Sequence, residues 1–455
     1  MSSSVATFIC VIGILVLFTL ERKRSGRTRW HLWIPTIWFF ISGSRHVSMW
    51  LEPNTILSPE QYLEGSPLDA AIYSVLIFAA IIVLVTRWKL VLKLARTNWP
   101  IALLILYCAI SVLWSDFTLV AFKRWIKSLG DYAMIVMLLT ETDWQLAVNQ
   151  VLSRVSYVVL PLSVLFIKYY PSIGRSYASH WEGTQYFNGI CDTKNMLGMV
   201  CLILGFAAVW RLLHDWRNPK CTRLIAFLPD ISIVFMAVWL LVLCDSKTSL
   251  ASFVLASGVV SAHRFIKIAR TPVLSNLMIV GVLVCACSVL FLGFGDGALE
   301  ALGRNSTLTG RTGIWNAVLS VPINPLFGTG FESFWLGQRL TYLWTFPIVH
   351  GITEAHNGYL EMYLNLGWIG EGLILILLLT GYRNIQRSLK RDPQAGRLQL
   401  GYFIIAVVYN FTEAGFRSTD LVWLSFLLAI ALVPRVEETV TSEYKRGWRL
   451  TLAET

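Results

Sequence analysis

Apolar runs of about 12 to 20 residues, many near the upper end, recur along most of the chain, divided by polar loops. They fall at about 5–20, 32–44, 69–86, 100–114, 130–141, 148–167, 196–213, 224–243, 250–262, 274–293, 368–382, 399–412 and 420–433. A helix needs roughly 20 residues to cross a hydrocarbon core. The ten-residue polar/apolar alternation of a membrane barrel is absent. The pattern predicts an all-α polytopic membrane protein with about 12–13 transmembrane helices. One stretch interrupts it: from 295 to 367 the chain stays polar and turn-rich. The expected organisation is helices one to ten over 1–294, a large periplasmic-type loop with short helices over 295–367, helices eleven to thirteen over 368–433, and a polar inner tail over 434–455.

Composition agrees with this reading. Hydrophobic residues make up 55% of the 455 and charged ones 14%, against about 25% charged in a soluble domain. The formal net charge of +11 does not point to nucleic acid, because most Lys and Arg sit in short clusters between apolar runs, as inner loops do. Such clusters also attract anionic membrane lipids. The eight cysteines form no CxxC or CxxH spacing, so neither a disulfide framework nor a zinc site follows. No basic n-region precedes 5–20 and no small-residue cleavage site follows it, so it reads as a retained first helix.

Charge also orients the segments. The basic ERKRSGRTRWH after the first run reads as an inner loop, which leaves 295–367 outside. The piece DFTLVAFKRWIKSLGD (116–131) fits neither side well and is expected as an amphipathic helix on the outer surface, ahead of a separate segment at 130–141. Topology does not account for the outer positives Arg45, Lys123, Arg124, Lys127, Lys168, Arg175, Lys194, Lys247, Arg304, Arg311, Arg339 and Arg417. Contact with lipid headgroups is one explanation for any of them. Several at helix mouths together point to an anionic substrate.

Arg311 and His356 are the side chains of the large loop best suited to chemistry. Thr309 is placed to cap a helix from Gly310 to about Ser320, with Arg311 and Trp315 on one face. A guanidinium at a helix N-terminus suits phosphate oxygens, although it could equally tie down the loop. GTG (328–330) predicts a sharp reversal with positive φ. In TEAHNGYLEMYLNLG, Thr353 is a plausible N-cap, which would put His356 in the first turn with Tyr359 on its face. The positive helix end would then keep the ring neutral and able to accept a proton. A purely structural His fits the pattern too. Lys247, in DSKTS, and Lys194-Asn195 stand at other helix mouths and could complete a diphosphate site with Arg311. No metal motif, P-loop or Ser-nucleophile elbow is present, so no cofactor is expected.

GRTGIW, then PLFGTGF, then AHNGYLEMYLNLGWIG, late in a polytopic chain, resembles the O-antigen ligase and polysaccharide polymerase (Wzy-type) superfamily. The tract over 170–198 ending in KNMLG, and SKTSL, resemble its exopolysaccharide-polymerase branch. The likeness spans about 170–380. It implies a membrane-embedded, metal-independent inverting glycosyltransferase of the GT-C type in the bacterial inner membrane. This would polymerise undecaprenyl-diphosphate-linked oligosaccharides at the periplasmic face, alongside export and chain-length proteins. By the resemblance, His356 would activate the acceptor hydroxyl and Arg311 would hold the leaving diphosphate. Lys247, Lys194, Asn195, Asn357, Tyr359 and Trp315 would contact substrate. Lys247 stands where the family often carries Arg, which keeps the charge and loses the bidentate fork.

Three alternatives remain compatible. A ligase would transfer the glycan to a lipid or protein acceptor instead. A lipid-linked sugar transporter would place its site near the midplane, whereas Asp230, Glu371 and Glu413 lie near segment ends. A non-catalytic docking protein would tolerate neutral residues at His356.

Overall fold

The computed structural model describes residues 1–25, 29–51, 65–177, 185–215, 227–266 and 311–434, with a few isolated positions between 276 and 284. The predicted segment at 274–293, Thr309, Arg304 and the tail therefore lie largely or wholly outside the described residues.

The described chain is α-helical apart from one short hairpin. Its helices of seven residues or more begin with α1 (Ser3–Ser25), α2 (Trp33–Ser42), α3 (Pro67–Val85), α4 (Trp88–Thr97), α5 (Trp99–Ser111), α6 (Thr118–Leu139) and α7 (Trp144–Tyr169). Strands β1 (Arg175–Tyr177) and β2 (Gln185–Phe187) pair antiparallel, with Ser176 opposite Tyr186. Then come α8 (Lys194–Asp215), α9 (Leu228–Leu243), α10 (Lys247–Phe265), α11 (Arg311–Leu319), α12 (Gly337–Leu343), α13 (Gly358–Arg391), α14 (Pro393–Tyr409) and α15 (Leu421–Ile430). Local chemistry sets several boundaries. The Asp392 side chain accepts from the backbone of Gln394 and Ala395, and Pro393 opens α14, the arrangement that suits an N-cap and first helical position.

Five described helices are long and apolar enough to span a membrane, within α1, α3, α7, α8 and α13, and the chain is a multi-pass membrane protein. A sixth follows if α4 and α5, bent by 92°, form one broken span. The remaining predicted segments that lie within the described residues are helical too, but they differ in kind. α2 and α15 have ten residues each, a rise of about 15 Å and half a hydrocarbon core. Every residue of α15 is buried, so it is an internal half-span held by its neighbours.

The region 116–141 differs from expectation. The surface helix and the following segment are one continuous helix, α6. Gly130 and Asp131 read as a break in the sequence, yet both are buried against Trp38, whose indole N–H donates to Asp131 at 2.9 Å. The polar junction is an internal contact, so the helix runs through it.

The core is built by α8 against α9 and α10, α10 against α14, and α14 against α13 and α15. A separate small core, including Ile314, Val318, Phe334, Trp335 and Leu364, holds the loop segments together. The two meet at α13, which is broken at Gly367 (φ 65°, ψ −166°). NPLFGTG docks there: Gly328 and Gly330 have positive φ, as expected, and the Thr329 and Gly330 amides donate to the carbonyls of Leu364 and Asn365.

Between α8 and α9, Arg211 donates to Asp230 at 2.5 Å with both side chains almost fully buried. Removing one partner of such a pair leaves an uncompensated charge, at a cost of about 3–5 kcal/mol. Arg211→Met should therefore lower the thermal midpoint of the detergent-purified protein markedly, and adding Asp230→Leu should recover most of the loss. Equal midpoints for wild type and the single variant would show that the pair carries no such weight.

Candidate active site

The site is assembled where the loop after α14 meets the segment before α13. Gly358 begins α13, and its amide donates to the carbonyls of Asn410 and Glu413. A Cβ at Gly358 would fall 1.8 Å from the Asn410 side-chain oxygen. Only glycine permits this approach, and it brings Glu413 beside His356. The Asn410 oxygen in turn accepts from the amides of Gly415 and Phe416 at 2.9 Å, which fixes the loop carrying Glu413 and Arg417.

His356 lies before the helix, not within its first turn. Asn357 is the N-cap, accepting from the amides of Tyr359 and Leu360, and His356 itself has φ 49°. Left-handed backbone is unfavourable for a non-glycine residue, and here it is held from both sides. The Trp315 indole N–H donates to the Ala355 carbonyl at 2.9 Å. The Ala355 amide donates to Glu361 at 2.5 Å, and Glu361 also accepts from Trp335. The peptide preceding His356 is thus clamped between α11 and α13.

Around the imidazole stand four charged side chains. Nδ1 is 3.1 Å from Glu413 Oε2 and 3.0 Å from Glu354 Oε1. The other oxygen of each carboxylate is bound by a guanidinium: Arg311 donates to Glu413 Oε1 at 2.5 Å, and Arg417 to Glu354 Oε2 at 2.6 Å. Glu413 is buried and also accepts from Asn195 at 3.3 Å. Residues of α8, α11 and the α14–α15 loop therefore meet on one carboxylate.

This arrangement reverses the expected protonation of His356. Burial alone would lower its pKa, but hydrogen bonds to Glu354 and Glu413, and their negative charges, outweigh it and raise the pKa to about 10. The first-turn helix effect does not apply, because the ring sits outside the helix between two anions. Burial would likewise raise the Glu354 carboxyl, yet His356 and Arg417 hold it at about 2. The resting ring is an imidazolium, bonded to carboxylates through Nδ1.

The other anticipated substrate residues divide. Asn195 joins the cluster. Asn357, Tyr359 and Trp315 are occupied in positioning: Asn357 as the N-cap, Tyr359 through its hydroxyl to the Val407 carbonyl and ring contacts with Phe411 and Phe416, and Trp315 as the clamp. The Lys194 ammonium lies 4.4 Å from the Tyr186 ring centroid, and Lys247 is exposed at the start of α10. No hydrogen bond or ion pair joins either lysine to Arg311 or His356 among the described residues. The adjacent Thr248 does bond Thr412 at 2.8 Å, next to Glu413. Other outer positives are structural: Arg45 donates to the carbonyls of Ile173 and Cys191, Arg175 to that of Ile167, and Arg339 to Asp116.

Sequence reasoning missed Glu354, Glu413 and, as a partner, Arg417. Glu413 and Arg417 lie about sixty residues from His356, in a short hairpin that carries no motif. Glu354, His356 and Glu413 each offer one atom, all within 4.8 Å of one another, and could by spacing hold a metal ion. In this arrangement two guanidiniums already balance the two carboxylates. A cleft of about 2050 Å³ opens onto the cluster, lined by His356, Glu354, Glu413, Arg417, Asn195 and the α6 cations.

The fold and cluster define a multi-pass membrane protein with a charged site at the base of a loop. Residues 231–377 match the family model described as O-antigen ligase (Wzy_C). The chain is also similar to the exopolysaccharide production protein ExoQ of Rhizobium meliloti (strain 1021), at 25% identity over 332 residues, 69% of this chain and 72% of the relative. Both matches bear out the resemblance to the O-antigen ligase and polysaccharide polymerase family. The family match contains Arg311, Glu354 and His356 but ends before Glu413 and Arg417, so two of these five residues lie beyond it.

The raised pKa carries a sign. A group held above its ordinary value of 6.5 stabilises the fold fully below that value and loses the contribution as pH rises through about 10. Nitrogen-15 histidine NMR should show His356 still protonated at pH 8. Glu413→Gln should move its midpoint down toward the ordinary range. A wild-type midpoint near 6.5 would contradict the two-carboxylate arrangement.

Proposed function

We propose that this protein is a membrane-embedded glycosyltransferase of the GT-C type that joins oligosaccharides carried on undecaprenyl diphosphate into an exopolysaccharide, at the periplasmic face of the inner membrane. One observation carries the reading: Glu413 binds Arg311 with one oxygen and His356 with the other. An anion-binding guanidinium and a proton-accepting ring are thereby placed at the two ends of one carboxylate. Displacing a lipid diphosphate needs both functions.

In the reaction, the acceptor hydroxyl oxygen bonds the anomeric carbon of the donor sugar while the bond from that carbon to the diphosphate oxygen breaks. Attack from the opposite side inverts the centre. The hydroxyl proton passes to Nε2 of the minority neutral form of His356, whose remaining proton stays on Nδ1 toward the carboxylates, and the diphosphate departs with its electron pair toward Arg311. Asn195 holds Glu413 in place. The diphosphate arrives activated, so neither ATP nor an electron carrier is needed; with Arg311 taking the charge of the departing oxygens, product should form in the presence of a chelator. The description of the matched family favours a ligase as second reading, whose acceptor would be a different lipid or a protein.

Purified protein supplied with defined undecaprenyl-diphosphate oligosaccharides should give a ladder of products, whereas a ligase would make a single transfer to a different acceptor. Arg311→Ala and His356→Ala should each abolish product while inserting normally; wild-type polymer from either would sink the assignment. Because the base form of His356 is about a thousandth of the total at pH 7 for a pKa near 10, kcat/KM should climb with pH from 7 to 9. A flat or falling profile would instead make His356 a cation for the diphosphate.

A further inference from the structure

The segment after α2 carries His46 into the cleft that His356 also lines. Its neighbours fix it there. The Arg45 amide donates to the Ile190 carbonyl at 3.1 Å, and the Arg45 guanidinium donates to the Cys191 carbonyl at 3.0 Å. On the other side, Ser48 donates through its amide and hydroxyl to Asp69 of α3 at 3.0 and 2.5 Å. The chain around His46 is therefore packed on the turn that leads into α8. Asp192, in that turn, lines the same cleft. Three residues further on, Asn195 reaches Glu413. One wall thus runs from His46 past Asp192 to the charged cluster.

Both side chains keep hydrogen-bonding capacity to spare. His46 Nδ1 is 3.3 Å from the Tyr73 hydroxyl, and its Nε2 has no partner among the described residues. The exposed Asp192 carboxylate has none there either. Other carboxylates of the cleft are committed: Asp69 to Ser48, Glu332 to Ser418, and Glu361 to Trp335 and the Ala355 amide. Burial and the Lys127 ammonium push the His46 pKa below its ordinary value, and Asp69 and Asp192 only partly oppose them. The ring is neutral at pH 7, the opposite of His356. A neutral imidazole has one donor and one acceptor nitrogen, whereas a carboxylate only accepts. Phosphate oxygens also only accept, so they gain nothing from Asp192. A sugar hydroxyl both donates and accepts, so it satisfies Asp192 and answers His46 Nε2 in either tautomer. A few polar groups placed in this way are what fix a ligand's orientation in a pocket.

We propose that His46 and Asp192 form a sugar subsite, which binds hydroxyls of one glycan unit and so positions the chain for reaction at His356 and Arg311. This rests on the glycosyltransferase reading and deepens it: the cleft selects its substrate by the glycan as well as by the lipid diphosphate.

The test uses the full chain in nanodiscs, with a defined undecaprenyl-diphosphate oligosaccharide and bare undecaprenyl diphosphate as paired probes. Wild type should bind the glycan-bearing probe more tightly. His46→Leu and Asp192→Ala should each weaken that probe about tenfold, the scale of one hydrogen bond, and leave the bare lipid unchanged. Equal losses for both probes would mean that these residues only hold the cleft in shape, and no loss for either would leave them without a ligand; both results overturn the subsite. In turnover the same variants should raise KM about tenfold with kcat nearly kept, and His46→Gln, which keeps a hydrogen-bonding side chain, should restore much of the loss. Two substrates separate the sources of the sugar: a donor whose acceptor hydroxyl is blocked, and an acceptor glycoside that lacks diphosphate. A KM rise for the first assigns the subsite to the donor glycan, and a rise for the second assigns it to the acceptor. A fall in kcat with both KM values unchanged overturns it. Glycan-dependent binding that Asp192→Ala removes, with no product from wild type, would sink the glycosyltransferase reading and leave the subsite standing.

Discussion

Everything distinctive about this protein converges on the Glu413 carboxylate. It is buried, it sits in a short loop between two core helices, and it takes hydrogen bonds from Arg311, His356 and Asn195. A buried anion of this kind is tolerable only when its oxygens are satisfied by charge-assisted partners. The partners come from α8, the segment before α13, and the start of α11. Satisfying one carboxylate therefore joins the small loop core to the main bundle. The close approach at Gly358 and the Asn410 cap in the adjacent turn keep that carboxylate in position.

The membrane bundle does for the site what a rigid scaffold does in soluble enzymes. α14 and α15 are buried almost throughout, so the loop between them is pinned at both ends. The Trp315 and Glu361 bonds to the Ala355 peptide then fix the left-handed backbone of His356. Strained backbone persists only where its surroundings over-determine it, and here α11 and α13 do so.

Much of the fold was legible from hydropathy, because long apolar runs have few alternatives to membrane helices. What hydropathy misjudged were polar residues inside helices. Asp131 reads as a helix end, yet Trp38 satisfies it within α6. Arg311 and His356 were legible because they lie in compact motifs. Their partner Glu413 was not, since a lone Glu in a turn has no local signature and its meaning comes from a contact across 57 residues. The ring's protonation was misread for the same reason: it is set by distant carboxylates rather than by the nearest helix end. Asn357, Tyr359 and Trp315 lie in the recognised motifs, but their polar atoms are spent holding the site in shape.

A carboxylate shared by two cations behaves as a balance. Whatever draws Arg311 from Glu413 leaves His356 as the one charged partner of that anion in the cluster, beside the neutral Asn195 amide, and the ring then holds a proton more tightly. In the proposed reaction, negative charge grows on the departing diphosphate as a proton arrives on the ring. Each event favours the other: the guanidinium is drawn outward as the imidazolium gains its counter-ion. Bond breaking at one end of Glu413 and proton capture at the other are thereby linked through a single side chain, and the link resets when the diphosphate leaves.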